Sequence, residues 1–259
     1  MSTAAPCTAS VSIVVPVLNE VAVIRAALTR LRRDFPDCEL VVVDGGSTDG
    51  TVAAATGLAR VLCTGPGRAL QMNTGAAHTI GDVLWFVHAD VILAPDALGQ
   101  LRAALADPGA VGGGLTLRFN RRTRGLDYLA RASNMRARRL HHIFGDQAMF
   151  VRRHVFDAVG GFPPFALMED LELSRRLHRR GRLVLLPATA TASARRFTEH
   201  GTIQMVVFMQ YLRLLYFAGV SPDRIRDRYE RGPLPGRRRS HRFGARPSQK
   251  EHDRAAPLD

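Results

Sequence analysis

Short, mostly apolar runs alternate with segments of helical periodicity over the first 90 residues. The runs predict strands at 11–15, 40–43, 60–63 and 83–87, and the segments between them predict helices at 23–31, 51–58 and 69–77. Runs of four or five consecutive apolar residues are typical of strands that are buried on both faces of a sheet. Strands that alternate with helices indicate an α/β fold built on a mostly parallel sheet.

The alternation loosens after residue 90, although further elements still follow from the pattern. It predicts helices at 95–106, 126–140, 153–159 and 169–180, and strands at 111–119 and 148–151. From residue 231 onward Arg, Pro, Gly and Ser dominate, which is typical of a disordered tail. The length fits one domain over residues 11–230, between a disordered N-terminus (1–10) and a disordered basic tail (231–259).

The last apolar stretch, residues 203–220, has two interpretations. It contains Gln204, Gln210 and Arg213, so it is a poor membrane span, and we expect a packed helix. Its aromatic residues and basic flanks also suit a helix that lies at a membrane interface.

The net charge of +13 and the pI near 11.2 predict attraction to anions in general. Nucleic acid, acidic membrane surfaces and nucleotide diphosphates are all candidate partners, and charge alone does not choose among them. The three cysteines form no Cys-x-x-Cys pair, and no secretory signal is apparent in the sequence. We therefore expect a cytoplasmic protein with reduced thiols.

Polar clusters follow three of the predicted strands at the point where each strand ends. They are Asn19 and Glu20 after the first strand, Asp44 with Ser47 and Asp49 after the second, and His88-Ala89-Asp90 after the fourth. Because the carboxyl ends of parallel strands share one edge of an open α/β sheet, we expect these clusters to converge. The segment from Asp44 to Gly50 also suits a turn followed by a helix cap, so a purely local role stays open for it.

These side chains suit a nucleotide diphosphate. Asp44 is a candidate acceptor for a hydrogen bond from a base or a ribose hydroxyl, and Asp90 is a candidate ligand for a divalent cation that bridges the diphosphate. Arg68 stands near the start of a predicted helix, where backbone N–H groups favour an anion. An ordinary exposed arginine is the alternative for that position.

Glu169 and Asp170 open a basic helix and also have two interpretations. Carboxylates in a first helical turn stabilise the helix dipole without any catalytic role. A carboxylate at the sheet edge is equally suited to take a proton from an acceptor hydroxyl. On the second interpretation Asp170 is the expected general base and Glu169 is the runner-up.

Four motifs together resemble family 2 glycosyltransferases across about residues 11–200. They are Val-Pro-Val-Leu-Asn-Glu at 15–20, Val-Val-Asp-Gly-Gly-Ser-Thr-Asp-Gly-Thr at 42–51, His-Ala-Asp at 88–90 and Glu-Asp at 169–170. Gly-Arg-Ala-Leu-Gln-Met-Asn at 67–73 and Gly-Asp-Gln-Ala-Met-Phe at 145–150 also look like the bacterial rSAM/selenodomain-associated transferase subgroup.

The resemblance implies a GT-A-type fold, which is a Rossmann-like, mostly parallel sheet flanked by helices, here followed by a C-terminal helical segment. It implies metal-dependent, inverting transfer from a nucleotide-diphosphate sugar, commonly a UDP-sugar, with Mg or Mn as the cofactor. Residues 11–90 would be the nucleotide-binding half, 91–200 the acceptor half and 201–230 the helical segment. The acceptor is left unidentified; a lipid or isoprenoid, reached by peripheral contact with the inner face of the cell membrane, is one expectation.

Carried over by position, the resemblance also implies the site residues. The expected nucleotide- and substrate-binding residues are Pro16, Asn19, Glu20, Asp44, Ser47, Asp49, Arg68, Asn73, Ala89 and Gln147; the expected metal residues are Asp90 and His88, and the catalytic residues are Asp170 and Glu169. His88 stands where a D-x-D motif would have its first carboxylate, which leaves the number of protein ligands open. Gly145, Asp146 and Gln147 are expected on the acceptor side.

Two other classes of protein stay as alternatives. A nucleotidyltransferase would share the sheet and a metal-held nucleotide, but it normally needs a basic, glycine-rich phosphate loop near its N-terminus, and residues 16–20 are neutral to acidic. A nonenzymatic nucleic-acid-binding module would explain the charge but not the acidic clusters at strand ends, so no nucleic-acid partner is expected.

Overall fold

A mixed β-sheet organises the part of the chain that the computed structural model describes, residues 9–195 and 202–232. Its strands are β1 (Val11–Val17), β2 (Glu39–Asp44), β3 (Arg60–Cys63), β4 (Val83–Phe86), β5 (Ile92–Leu93), β6 (Ala110–Phe119), β7 (Phe150–Arg152) and β8 (Arg182–Ala192). The strand order across the sheet is β3-β2-β1-β4-β7-β6-β8-β5.

The helices lie between these strands and after the last one. They are α1 (Val21–Asp34), α2 (Thr51–Ala55), α3 (Arg68–Ala77), α4 (Ala97–Ala104), α5 (Arg124–Leu140), α6 (Arg153–Ala158), α7 (Glu169–His178), α8 (Thr202–Phe217) and α9 (Pro222–Arg231), with a single 3-10 turn at Gly145–Gln147. Each helix that the sequence predicted among these residues is present.

The first half of the sheet is parallel and the second half is mixed. Strands β3, β2, β1 and β4 run parallel, whereas β7 is antiparallel to both β4 and β6. Strand β8 is parallel to β6, and the two-residue strand β5 pairs antiparallel with it. The prediction of an α/β fold with a mostly parallel sheet is confirmed; the antiparallel insertion of β7 and strand β5 were not predicted.

Alternate residues of each central strand pack into cores on opposite faces of the sheet. On one face Ile13 and Trp85 are buried with Leu28 of α1, and on the other Val14 and Phe86 are buried with the helices α3 and α7. The indole N–H of Trp85 donates to a backbone carbonyl 3.1 Å away, so its polar atom is satisfied inside the core. Burial on both faces explains why these strands appear as continuous apolar runs.

Glycines let β6 lie between its neighbours. A Cβ at Gly114 would lie 2.5 Å from Cγ2 of Ile143, and one at Gly113 would collide with the carbonyl oxygen of Val184 on β8. Strand β6 can therefore lie this close to its neighbours only because these two positions carry no side chain.

Helices α8 and α9 form a hairpin that packs on the start of α7. Met205, Phe208 and Leu212 of α8 are buried in a small cluster with Leu171 of α7 and Ile225 of α9. This confirms the prediction of a packed helix for one face of the 203–220 stretch. Across residues 9–195 and 202–232, the structure contains no helix with both the length and the hydropathy needed to cross a membrane.

Some predicted boundaries were wrong for local reasons. The strand predicted from Ala148 begins at Phe150, because Ala148 has a φ of +48° and lies in the left-handed region. The helix predicted for 51–58 ends at Ala55. The tail predicted from residue 231 has its first residue in α9. The rest of that tail (233–259), like residues 1–8 of the predicted N-terminus, lies outside the described residues.

Candidate active site

The loops that follow β1 and β2 are joined by hydrogen bonds. The backbone N–H of Asn19 donates to Oγ of Ser47 (2.8 Å), and the N–H of Thr48 donates back to Oδ1 of Asn19 (2.9 Å). The N–H of Val21 donates to Oδ2 of Asp49 (3.1 Å). The predicted convergence of these two polar clusters at the sheet edge is therefore present.

The side chain of Asp44 stabilises the loop after β2 through hydrogen bonds. Its side chain is buried, and Oδ2 accepts hydrogen bonds from the N–H groups of Gly46 and Ser47, both at 2.9 Å. Its Oδ1 accepts a hydrogen bond from the hydroxyl of Ser47. These are the contacts of a local turn, the alternative that the sequence left open for this loop.

Pro16 and Glu20 flank the same edge. Pro16 lies near the end of β1, half-buried and paired in register with Val43 of β2. Glu20 is half-buried, and its backbone N–H donates to Oγ1 of Thr51 (2.8 Å). The hydrogen bond from the Thr51 hydroxyl is the main cause of a lowered pKa at Asp49, which is ionised at neutral pH.

Gln71 supports both loops, a role that was not predicted from the sequence. Its amide is buried, and Nε2 donates to the carbonyl oxygens of Val17 (2.7 Å) and Val43 (2.9 Å), at the ends of β1 and β2. Gly45 packs directly on this amide, since a Cβ there would lie 3.0 Å from Cδ of Gln71. A buried polar residue at a helical core position was the only indication in the sequence.

A pocket lies beyond the end of β4, where α3 and α7 approach each other. It is lined by the polar side chains of Arg68, His88, Glu169 and Asp170, by Gly145, and by the apolar residues Met72, Phe86, Met149 and Phe162. The structure thus brings together four of the predicted site residues, from segments up to about 100 positions apart in the chain.

An ion pair crosses this pocket. Nη1 of Arg68, in the first turn of α3, lies 3.6 Å from Oε1 of Glu169, in the first turn of α7. Burial and the adjacent Asp170 carboxylate raise the pKa of Glu169, and Arg68 opposes this shift. Glu169 is therefore a buried carboxylate that depends on Arg68 for its charge.

Asp170 is half-buried beside this pair. Its Oδ2 accepts a hydrogen bond from the N–H of Gly145 (3.0 Å), and its Oδ1 accepts one from the N–H of Leu171 (2.7 Å). The carboxylate is thereby held at the pocket wall by backbone donors. Each oxygen still has room for a further hydrogen bond, as a general base requires.

The segment His88-Ala89-Asp90 adds one exposed carboxylate. His88 is half-buried and lies against Gly145, where a Cβ would be 2.6 Å from its Cε1; Ala89 is buried and Asp90 is exposed. Asp90 is close enough to affect the charge state of both Arg68 and Asp146. It therefore lies near the pocket but is not one of its lining residues.

The side chains around Asp90 and His88 bear on the metal predicted there. No group of three or more His, Cys, Asp or Glu residues that could hold a metal ion occurs within residues 9–195 and 202–232. One exposed carboxylate still suits Mg or Mn when phosphate oxygens of a substrate supply other ligands, because such ions commonly bind through one or two carboxylates plus phosphate. Asp90 fits this pattern of shared ligation.

Asp146 is a second unusual carboxylate at this edge. Burial raises its pKa to about 6, opposed by Arg136 and reinforced by Asp170 and Asp90. Among the described residues its Oδ1 has no hydrogen-bond partner. The sequence placed Asp146 only on the acceptor side, because a burial-driven pKa shift leaves no signal in a sequence.

Asn73 has protein partners in this structure. Its Nδ2 donates to the carbonyl of Phe162 (2.9 Å), and its Oδ1 accepts from the N–H of the same residue (2.9 Å). This double hydrogen bond attaches α3 to the loop that leads into α7. The predicted contact of Asn73 with a substrate stays a prediction.

Gln147 is likewise buried in a network of amides. Its Oε1 accepts from the N–H of Phe144 (3.3 Å), and its Nε2 donates to Oδ1 of Asn134 on α5 (3.4 Å). Asn134 in turn bonds both backbone groups of Leu117 on β6. These contacts connect the 3-10 turn to α5 and β6, and a substrate contact of Gln147 also stays a prediction.

The hairpin of α8 and α9 holds α7 in place. The hydroxyl of Tyr216 donates to Oε2 of Glu172 (2.7 Å), which also pairs with Arg175 (3.3 Å). Glu172 lies one turn after the two carboxylates of the pocket. Contacts of the hairpin therefore fix the helix that carries Glu169 and Asp170.

Comparisons with known proteins agree with this architecture. Two Mycobacterium tuberculosis proteins described as uncharacterized glycosyltransferases are 40% identical to the chain over 79 residues, which is 28% of this chain. The chain matches only about 30% of the length of these curated relatives.

Solved structures share the fold. A Pyrobaculum calidifontis mannosyltransferase in complex with GDP-Man and Mn2+ superposes with a TM-score of 0.56 at 22% identity, covering 79% of this chain and 64% of that one. Glucosyl-3-phosphoglycerate synthase from Mycobacterium tuberculosis, in complex with phosphoglyceric acid, superposes with a TM-score of 0.59 at 22% identity, covering 82% and 81%. The expected GT-A-type fold is confirmed.

A family model extends this likeness through most of the described sheet. The model described as glycosyl transferase family 2 matches residues 12–163, more than half of the chain. The match begins in β1 and includes every motif of the first sheet half, the pocket segment 88–90 and the 3-10 turn. The chain belongs to glycosyl transferase family 2.

Proposed function

We propose that the protein transfers a sugar from a nucleotide-diphosphate sugar to an acceptor hydroxyl, with inversion at the anomeric carbon and with Mg or Mn as cofactor. The observation that carries the proposal is the pocket at the end of β4, in which Arg68 of α3 faces Glu169 and Asp170 of α7. The exposed Asp90 lies near enough to interact electrostatically with Arg68. Arg68 supplies a positive charge that can bind phosphate, Asp90 supplies a carboxylate that can bind a metal ion, and Asp170 supplies a carboxylate that can accept a proton.

The donor lies along the edge formed by the loops after β1 and β2. Asn19, Ser47 and Asp49 give this edge a fixed shape, and they form the nucleoside side of the site with Pro16 and Asp44. The Pyrobaculum calidifontis mannosyltransferase of similar fold is complexed with GDP-Man and Mn2+. Glucosyl-3-phosphoglycerate synthase of similar fold has also been solved in complex with UDP and Mn2+, which supports this class of donor. A UDP-sugar is the donor that we test first.

Arg68 binds the diphosphate of the donor. It stands in the first turn of a ten-residue helix, where the backbone N–H groups and the helix dipole add to its charge. A bound Mg or Mn, held by Asp90 and by His88 if the ring turns toward it, would supply Lewis-acid stabilisation of the departing diphosphate.

Asp170 acts as the general base. The acceptor oxygen attacks the anomeric carbon as the bond from that carbon to the diphosphate oxygen breaks, and the hydroxyl proton passes to Asp170. A single displacement of this kind inverts the configuration. Glu169 is the weaker candidate, because its carboxylate is buried and paired with Arg68.

The acceptor and the subgroup are the finer parts of the proposal. The motifs at 67–73 and 145–150 support the rSAM/selenodomain-associated subgroup, and the acceptor side includes Asp146. A lipid or isoprenoid alcohol is the acceptor class that we favour, because the exposed faces of α5 and α8 next to the site are apolar and basic.

Calorimetric titration of the protein with UDP, GDP and their common sugar conjugates, with and without Mn, tests the donor. We expect metal-dependent binding of one nucleotide, with at least a tenfold loss of affinity in Asp90→Ala. The matched control is Asp157→Ala, an exposed carboxylate on α6. If no nucleotide binds, or if both variants bind as the wild type does, the proposal is wrong.

Asp170→Asn tests the base. It should slow transfer to acceptor by about 100-fold or more, the usual contribution of general base catalysis, with little change in nucleotide affinity. With the acceptor unidentified, slow hydrolysis of the donor sugar serves as the assay, since water needs the same proton acceptor. An undiminished rate in Asp170→Asn would dismiss the assignment of the base.

A further inference from the structure

Helix α5 carries an outward stripe in which arginines alternate with large apolar side chains. At helical spacing along this stripe lie Arg124, Tyr128, Arg131, Met135 and Arg138, all of them exposed. Tyr128 is 68% exposed and Met135 is 53% exposed. The opposite face of α5, with Leu126 and Ala137, is buried against the sheet, so the stripe is a distinct outer surface.

Helix α8 has an exposed apolar stripe of its own. Val207, Tyr211 and Leu214 follow one another at four- and three-residue spacing, and Val207 and Leu214 are 63% and 67% exposed. Phe217 continues this surface toward α5, since its ring lies 6.2 Å from that of His142. The buried face of the helix packs on α7 and α9, and among residues 9–195 and 202–232 no packing covers these exposed side chains.

Exposed apolar side chains are concentrated on these two helices. Seven of the eleven large hydrophobic residues that are exposed among the described residues belong to α5 or α8. The two helices contact each other. Together their exposed stripes form one surface, which we name the α5–α8 face; it comprises Arg124, Tyr128, Arg131, Met135, Arg138, Val207, Tyr211, Leu214 and Phe217.

The charge on the α5–α8 face and around it is predominantly positive. Helix α5 carries five arginines and one acidic residue, Asp127. Helix α8 carries no acidic residue. The neighbouring α9 has four arginines against three acidic residues, and its exposed Arg228 lies 5.9 Å from the ring of Tyr211. Arginines interleaved with apolar and aromatic residues suit the headgroup region of a bilayer, where apolar groups enter the acyl boundary and cations meet anionic lipid.

We infer that the α5–α8 face docks on the surface of a bilayer that contains anionic lipid. The inference concerns membrane binding alone and stands whether or not the transfer reaction proposed above is correct. Binding needs both features of the face, the apolar side chains that enter the interface and the arginines that are attracted to it. A bilayer fits this combination better than a second copy of the chain, because two such faces would bring like charges together.

Flotation of the full-length protein with vesicles tests the inference. We expect binding to vesicles of phosphatidylcholine with 30% phosphatidylglycerol, at least tenfold weaker binding to pure phosphatidylcholine, and loss of binding as salt is raised. Absence of binding to the anionic vesicles, or equal binding to both kinds, would overturn the inference.

Variants assign the binding to this face. Tyr128→Ser with Met135→Ser, and separately Val207→Ser with Leu214→Ser, should each weaken binding by at least tenfold. The matched control is Ile80→Ser, which removes an apolar side chain that is 88% exposed at another site. Circular dichroism and thermal unfolding establish that the variants fold, and every side chain changed is exposed.

Charge reversal separates the face from other basic segments. Arg131→Glu with Arg138→Glu should abolish binding to anionic vesicles, whereas Arg25→Glu with Arg33→Glu on α1 applies the same change of charge elsewhere and should reduce it little. Binding retained by the α5 variant would assign it to another basic segment, such as Arg237–Arg239, and would refute the inference. A dimer in light scattering that the serine variants abolish, without vesicle binding, would refute it in favour of self-association.

Discussion

Four acidic side chains and two arginines meet at the carboxyl end of β4. They are Asp90, Asp146, Glu169 and Asp170, with Arg68 and Arg136. Acidic groups outnumber arginines here, so repulsion between the carboxylates should destabilise the folded state. The same excess of carboxylates suits the binding of a cation and the transfer of a proton. The position of Asp90 after β4 could be predicted from the sequence, and the family resemblance placed Glu169 and Asp170 in the site. The pairing of Arg68 with Glu169 could not, because it depends on how α3 and α7 approach each other.

The raised pKa of Asp146 makes a prediction about stability and pH. With a folded pKa of about 6 against an ordinary value of 3.8, the folded protein holds this proton more tightly than the unfolded chain does. Stability should therefore fall as pH rises from about 4 to about 6, and the full cost, up to about 3 kcal/mol, should be present at pH 7. Asp146→Asn should remove this cost.

Urea unfolding of the wild type and of Asp146→Asn at pH 5 and pH 7.5 measures the effect. The gain in unfolding free energy should be larger at the higher pH. Asp157→Asn, which changes an exposed carboxylate, is the control and should gain little at either pH. An equal gain at both pH values in Asp146→Asn would contradict the assignment.

Elements built from local pattern were predictable, and those fixed by distant partners were not. Strands β1, β2 and β4 are buried on both faces, and their apolar runs identified them. The two residues of β5 are too few for any pattern, and they form a strand only because β8 lies beside them. The antiparallel entry of β7 between β4 and β6 likewise depends on contacts with two distant strands.

The glycines of β6 give a test at the level of the element. Gly113→Ala would place a methyl group against the Val184 carbonyl and the Phe150 ring, and we expect a loss of about 3 kcal/mol of unfolding free energy. The control, Gly99→Ala in α4, meets nothing within 4 Å and should stabilise by about 0.5–1 kcal/mol. Thermal and denaturant unfolding measure both. Equal stabilities of the two variants would show that β6 moves aside.

At the scale of the molecule, the described residues form a large sheet domain and a small apolar cluster under the α8–α9 hairpin. This cluster contains Met168 and Leu171, which flank the two carboxylates of α7, but no residue of the sheet strands. Loosening the hairpin should therefore disturb catalysis before it disturbs the nucleotide side of the site.

Leu212→Ala tests this division. The side chain is fully buried in the hairpin cluster, and its removal should cost about 2–5 kcal/mol locally. Hydrogen exchange should increase in α8, α9 and the start of α7 while β1 to β4 stay protected, and donor turnover should fall at unchanged nucleotide affinity. Leu214→Ala, an exposed position on the same helix, is the control. Uniform loss of protection throughout the sheet would contradict a separate cluster.

The ion pair between Arg68 and Glu169 should also make binding of the donor depend on pH. The positive charge of Arg68 lowers the pKa of Glu169. A bound diphosphate that pairs with Arg68 would weaken this effect, so the pKa of Glu169 would rise and its carboxylate would take up a proton. Binding of the nucleotide at neutral pH should thus consume hydrogen ions and weaken as the medium becomes alkaline. The measured heat of binding should depend on the ionisation enthalpy of the buffer, and this dependence should disappear in Glu169→Gln.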